Sequence, residues 1–261
     1  MRINETDPLA VALLEAIRTG DTSALQHLLT AHPGLATARI VAIDGRQREM
    51  SRTPLHVAAD WPGHFPGGAA TVAILVRAGA DVNARFVGAH METPLHWAAS
   101  SNDIDVLDAL LDTGADIEAP GAVIAGGTPL DDAVAFGQWE AARRLVERGA
   151  DFSLWHAAAL GRLEAIEAHF AGDVLNRRYP WGMGGNGSGP RPSSSTHEVT
   201  VAFWCACYGG QLRAAESLLE RGAELNWAAV WDGRTPLDAA MRSASDTLVK
   251  WLRDRGARSS S

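Results

Sequence analysis

The sequence predicts an all-α solenoid: about seven helix-turn-helix units, stacked side by side and joined by short hairpins. Three observations carry this expectation. A phrase that begins Thr53-Pro54-Leu55-His56 returns as Thr93-Pro94-Leu95-His96, Thr128-Pro129-Leu130-Asp131 and Thr235-Pro236-Leu237-Asp238. A second phrase closes most units, at Gly79-Ala80, Gly114-Ala115, Gly149-Ala150, Gly222-Ala223 and Gly256-Ala257. Between the two lies an apolar set, Leu28, Leu75, Leu110, Leu145, Leu218 and Leu252. Self-similarity of this kind marks a stack in which no unit buries its apolar face alone.

Each element has a physical reason. Threonine before proline starts a helix, because its hydroxyl caps free amides and proline suits the first turn. Leu13, Leu55, Leu95, Leu130, Leu154, Phe203 and Leu237 fill the apolar slot of each first helix. The alanine pairs that follow, such as Ala58-Ala59 and Ala98-Ala99, let short helices approach closely. Glycine after the second helix supplies a left-handed cap. One domain over 5–257 is expected, with units starting near 11, 53, 93, 128, 152, 201 and 235. The first unit, Asp7 to Pro33, lacks the threonine-proline phrase and reads as a cap.

The departures from the pattern are as informative. About nine extra residues fall within Ala36 to Arg52, and five more around Trp61 to Gly67. Gly149-Ala150-Asp151 runs straight into Phe152, leaving no room for a hairpin. Residues 177–198 are rich in Gly, Ser and Pro and are expected to be flexible, and 258–261 to be a disordered tail.

The recurring phrases, spread over nearly the whole chain, resemble the ankyrin repeat. The resemblance implies two antiparallel helices per unit, a protruding hairpin between units, and a concave face that binds another macromolecule with the hairpin tips. The short units and the arginine-rich usage, with Lys250 the only lysine, resemble bacterial members.

Composition narrows the partner. The formal charge of −8 and pI of about 5.6 argue against general binding to phosphate backbones. The N-terminus does not read as a signal peptide, and no stretch reaches the roughly 18 apolar residues of a membrane span. Cys205 and Cys207 are the only cysteines, which excludes a disulfide framework and suits a reducing cytoplasm. No cofactor or metal is expected, since the paired C-x-x-C pattern of zinc sites is missing. A monomer is expected.

By the resemblance, the residues after each alanine pair and those just before each helix start face the groove. The expected contact set is Asp60, Trp61, His64, Phe65, His90, Glu92, Phe136, Tyr208, Trp231 and Arg234. Tryptophan, tyrosine and arginine are the residue types that anchor interfaces. This points to a non-catalytic scaffold that binds a partner protein. Trp97, Trp139, Trp155, Trp204 and Trp251 are expected to pack inward. The alternative is an enzyme or small-molecule binder. One candidate is a row of Asp132, His156 and Cys205, the ingredients of an activated thiolate. The other is the Trp61–His64 loop with His90 and Glu92. His56 and His96 are expected to be structural, bridging to adjacent backbone.

Overall fold

In a computed structural model, residues 1–124, 126–175 and 195–260 are described; most of the expected flexible segment 177–198 lies outside them. The chain divides into two compact units, Met1–Ala150 and Asp151–Ser261. The division falls where the repeat pattern lacks its hairpin.

Among the described residues, the first compact unit holds eight α-helices: α1 (Pro8–Thr19), α2 (Thr22–Ala31), α3 (Pro54–Ala58), α4 (Gly68–Arg77), α5 (Pro94–Ser100), α6 (Ile104–Asp112), α7 (Pro129–Ala135) and α8 (Trp139–Glu147). The first helices of successive repeats pack in one row, with α5 between α3 and α7, and the second helices in another, with α6 between α4 and α8. Leu13, Leu55, Leu75, Leu95, Leu107, Leu110 and Leu130 are completely buried between the rows. This is the core the repeated leucines predict.

The helix starts follow the sequence. Thr53, Thr93 and Thr128 each form a capping box with the residue three places on, His56, His96 and Asp131. The Thr53 and Thr93 amides donate to Nδ1 of His56 and His96, at 3.3 and 3.1 Å. Nε2–H of each ring then donates to the carbonyl of a later hairpin: His56 to Glu92 at 3.1 Å, His96 to Gly127 at 3.3 Å. Both rings are completely buried. Burial holds His56 at about 3 and His96 at about 4, well below the ordinary 6.5, because a charged imidazole there would lose its hydration.

The extra residues of Ala36 to Arg52 make a small sheet that the helical pattern does not announce. Strand β1 (Arg2–Asn4) runs parallel to β2 (Arg39–Ile43), which pairs antiparallel with β3 (Glu49–Arg52). Three arginines of this segment are engaged: Arg39 donates to the Arg85 carbonyl, Arg48 pairs with Asp44, and Arg52 reaches Asp60 and Glu5.

The second compact unit contains α9 (Leu154–Ala159), α10 (Leu163–Ala171), α11 (Ser195–Tyr208), α12 (Leu212–Glu220), α13 (Pro236–Arg242) and α14 (Asp246–Asp254). Helix α11 packs against α9, α12 and α13 around fully buried Phe203. In the tail, the Ser260 amide and hydroxyl both donate to the Asp238 carboxylate, at 2.9 and 2.7 Å.

Candidate functional site

In the first compact unit, five of the expected contact residues meet. Asp60, Trp61, His90, Glu92 and Phe136 line a cleft of about 490 Å³, joined by Trp97, Ser100, Ser101, Val123 and Gln138. Trp61 is 78% exposed, so its indole is offered to solvent rather than stored in the core. Phe136 and Val123 are exposed as well. Three apolar side chains left facing one cleft are the mark of a contact surface.

The loop that carries Trp61 is held at several points. The His64 amide donates to the Asp103 carboxylate at 2.6 Å. Gly63 has φ +74°, and a Cβ there would stand 2.9 Å from Ser101 Cβ, so the loop lies flat on the next repeat only because glycine is present. His64 and Phe65 fall outside the cleft lining. The His64 backbone is used to fasten the loop, and its ring is exposed. Phe65 is half-buried, and its carbonyl accepts from the Gly68 amide that opens α4.

Glu92 forms the floor. It is buried, at 3% exposure. Its Oε2 accepts the Trp97 indole N–H at 2.9 Å and lies 2.5 Å from His90 Nδ1, whose ring stacks on Phe86 at 5.0 Å. Behind it stands Asp132, fully buried. Burial, and then the neighbouring Glu92 charge, push the Asp132 carboxyl far above the usual carboxylate range, so it stays protonated. Asp60 is raised in the same direction by burial, partly offset by Arg52 at 3.3 Å. Sequence reasoning missed Trp97, placing it among the core tryptophans: it is only half-buried, lines the cleft, and donates its N–H to Glu92.

Tyr208, Trp231 and Arg234 belong to the second compact unit. Trp231 meets the rings of Trp204 and Trp227 edge-on, with centroids 5.0 and 5.5 Å away, and Tyr208 packs 5.5 Å from Trp204. Burial raises the Tyr208 phenol. The Arg234 guanidinium pairs with Asp232 at 3.1 Å, and its carbonyl accepts the Trp204 indole N–H at 3.0 Å. These residues form an aromatic cluster. Of the tryptophans expected inside, Trp155 and Trp204 are buried, whereas Trp139 and Trp251 are half-buried.

Cys205 does not have the surroundings of an activated thiolate. Asp132 stands against Glu92 in the first compact unit. His156 is engaged at its own helix start. Helix α9 begins one residue later than the leucine pattern suggests, so Ser153 caps it and His156 closes the capping box, as His56 and His96 do. Cys205 is fully buried, and burial pushes its thiol well above the ordinary value, the reverse of what a nucleophile needs. Among the described residues, no group of three or more His, Cys, Asp or Glu is placed to hold a metal ion.

Repeated capping boxes, paired rows of short helices and connecting hairpins are the features of the ankyrin-repeat fold. Residues 67–155 match the ankyrin repeats family model, in three copies. The fold is similar to the crystal structure of the human ASB11 ankyrin repeat domain, at 19% identity and a TM-score of 0.50, over 94% of this chain and 98% of that one. No curated protein sequence matches the chain. Ankyrin repeats are generally protein–protein interaction modules. Among the described residues, no helix is long and apolar enough to cross a membrane.

Proposed function

We propose that this protein is a non-catalytic scaffold that binds a partner protein through the helix-turn and hairpin face of its first compact unit. The observation that carries the reading is the convergence of Asp60, Trp61, His90, Glu92 and Phe136 on one cleft, with Trp61 largely in water. Such an indole supplies anchoring area with few rotatable bonds, and the clamped loop keeps the ordering cost of binding low. The Trp231 cluster of the second compact unit is a second, lesser contact area. Buried, unpaired Cys205 and Cys207 support a reducing compartment, and the arginine-rich composition supports a bacterial cytoplasm.

The test is affinity capture from native lysate with wild type, Trp61→Ala and Trp231→Ala. The wild type retains a partner that Trp61→Ala loses. Identical captured proteins for all three would refute this surface. The alternative, a small-molecule binder in the same cleft, is favoured by one feature: the buried carboxylate of Glu92 at the cleft floor, with Asp132 behind it.

A further inference from the structure

We infer that the cleft between Trp61, Trp97 and Phe136 receives the apolar stripe of a basic amphipathic helix of the partner protein. This rests on the binding face proposed above and names the kind of segment that the face selects.

The polar groups of the cleft are already matched to one another. Glu92 accepts the Trp97 indole N–H at 2.9 Å and pairs with His90, and Asp60 accepts the Arg52 guanidinium at 3.3 Å. Ser100 Oγ–H donates to the Trp97 carbonyl at 3.1 Å, and Ser101 Oγ–H to the Ala59 carbonyl at 3.3 Å. What the opening offers a guest is apolar: Trp61 is 78% exposed, and Phe136 and Val123 are 46% exposed each. A guest must therefore bring apolar side chains and satisfy its own backbone, because the walls hold few free hydrogen-bonding groups. A helix meets both conditions. Its amides and carbonyls pair internally, and its side chains at i, i+3, i+4 and i+7 form one stripe. An extended segment would press unpaired amides and carbonyls against the aromatic walls.

The walls come from successive repeats: Trp61 follows α3, Trp97 lies on α5 and Phe136 follows α7. Neighbouring helices pack roughly 8–10 Å apart, so the aromatic line extends over about 20 Å, the length of a helix of about 14 residues. Charge sets the polar face of that helix. The first compact unit holds 19 Asp and Glu against 11 Arg, whereas the second holds 12 acidic and 12 basic residues. Residues 86–142, which supply every cleft wall except Asp60 and Trp61, carry ten Asp and Glu and no Arg or Lys. Asp105 and Glu140 stand in the first turns of α6 and α8, just after cleft-lining Ser101 and Gln138. Both are exposed, and neither is ion-paired among the described residues. These carboxylates lie outside the cleft, in water, and attract lysine or arginine on the flanks of a docked helix.

The experiment is a titration at pH 7.5 with three acetylated peptide amides of about 14 residues, observed at the tryptophan indole N–H resonances. The first carries Leu at helical spacing among Lys, the second has the same composition in strict alternation, and the third carries Leu at helical spacing among Glu. The helical Leu–Lys peptide shifts the Trp61 and Trp97 signals saturably, and the other two bind at least about tenfold more weakly. Trp61→Ala weakens its binding about tenfold, the double variant Asp105→Asn/Glu140→Gln about threefold, and Trp231→Ala leaves it unchanged. Trp61, Asp105 and Glu140 are exposed, so these variants stay folded. Equal binding of the alternating peptide or of the Glu peptide, or insensitivity to Trp61→Ala, overturns the inference. A partner captured through Trp61 with no response to the helical Leu–Lys peptide refutes the inference alone. Peptide binding through Trp61 with no Trp61-dependent partner refutes the scaffold reading alone.

Discussion

Acidification from pH 7.5 to 5 tests the capping histidines directly. His56 and His96 are buried as neutral rings, each accepting a threonine amide at Nδ1 and donating to a hairpin carbonyl from Nε2. Both fold with lowered values, about 3 and about 4, against an ordinary 6.5 in the unfolded chain. Between those values the unfolded state binds more protons, so stability is fully present above 6.5 and is lost as the pH falls. At pH 5 the unfolded rings lie 1.5 units below their ordinary value while the folded rings remain neutral. Each unit corresponds to about 1.36 kcal/mol, so each histidine costs about 2 kcal/mol and the pair about 4 kcal/mol. Urea denaturation followed by circular dichroism at the two pH values measures this. His56→Gln and His96→Gln each remove about 2 kcal/mol of the pH-dependent loss, since an amide can still close the box without titrating. A double variant that loses as much stability on acidification as wild type would refute the reasoning.

Asp132 behaves in the opposite sense. Its folded value is raised, so its contribution is present at low pH and is lost as the pH rises above 3.8. Asp132→Asn therefore raises stability at pH 8 by about 1–4 kcal/mol and changes it little at pH 4, by the same denaturation assay. Gly209→Ala would set a Cβ 2.0 Å from the Ala159 carbonyl oxygen, and the clash lowers stability by at least about 1–3 kcal/mol, read as a fall in melting temperature. Cys205 and Cys207 resist iodoacetamide in the native protein and react once it is unfolded, as mass spectrometry of the alkylated protein would record. Trp61→Ala changes folding stability by no more than about 0.5 kcal/mol, because the indole is mostly in water; a larger change in the melting curve would place it in the core instead.

The repeats were legible because their signals are local. Thr93 needs only His96, three residues on, to close its capping box, and Gly79 needs only its own φ of +94° to end a helix. Asp60, Trp61, His90, Glu92 and Phe136 could be assigned to the groove because the repeat gives a direction to each slot. What it could not assign was which of them meet. His64 and Phe65 share the Trp61 loop, yet the hydrogen bond to Asp103, 39 residues on, turns the loop so that they miss the cleft. The sheet was hidden for a similar reason: β1 pairs with a strand that begins at Arg39, and its short polar sequence has no period to betray it.

The register of α9 shows how far local rules reach. Matching Leu154 to Leu130 put His156 in line with Asp132, but the helix begins at Leu154, and Ser153 claims the imidazole as its cap. The repeat, the helix starts and the buried leucines could all be read from the order of residues, since each depends on contacts within a few positions or on burial common to every repeat. Folding in three dimensions was needed to bring Glu92 against Asp132, to turn the Trp97 N–H to the cleft floor, and to seal Cys205 from solvent. Those facts depend on how successive helices are offset in space, and that offset is set by packing summed over many side chains rather than by any residue that could be read alone.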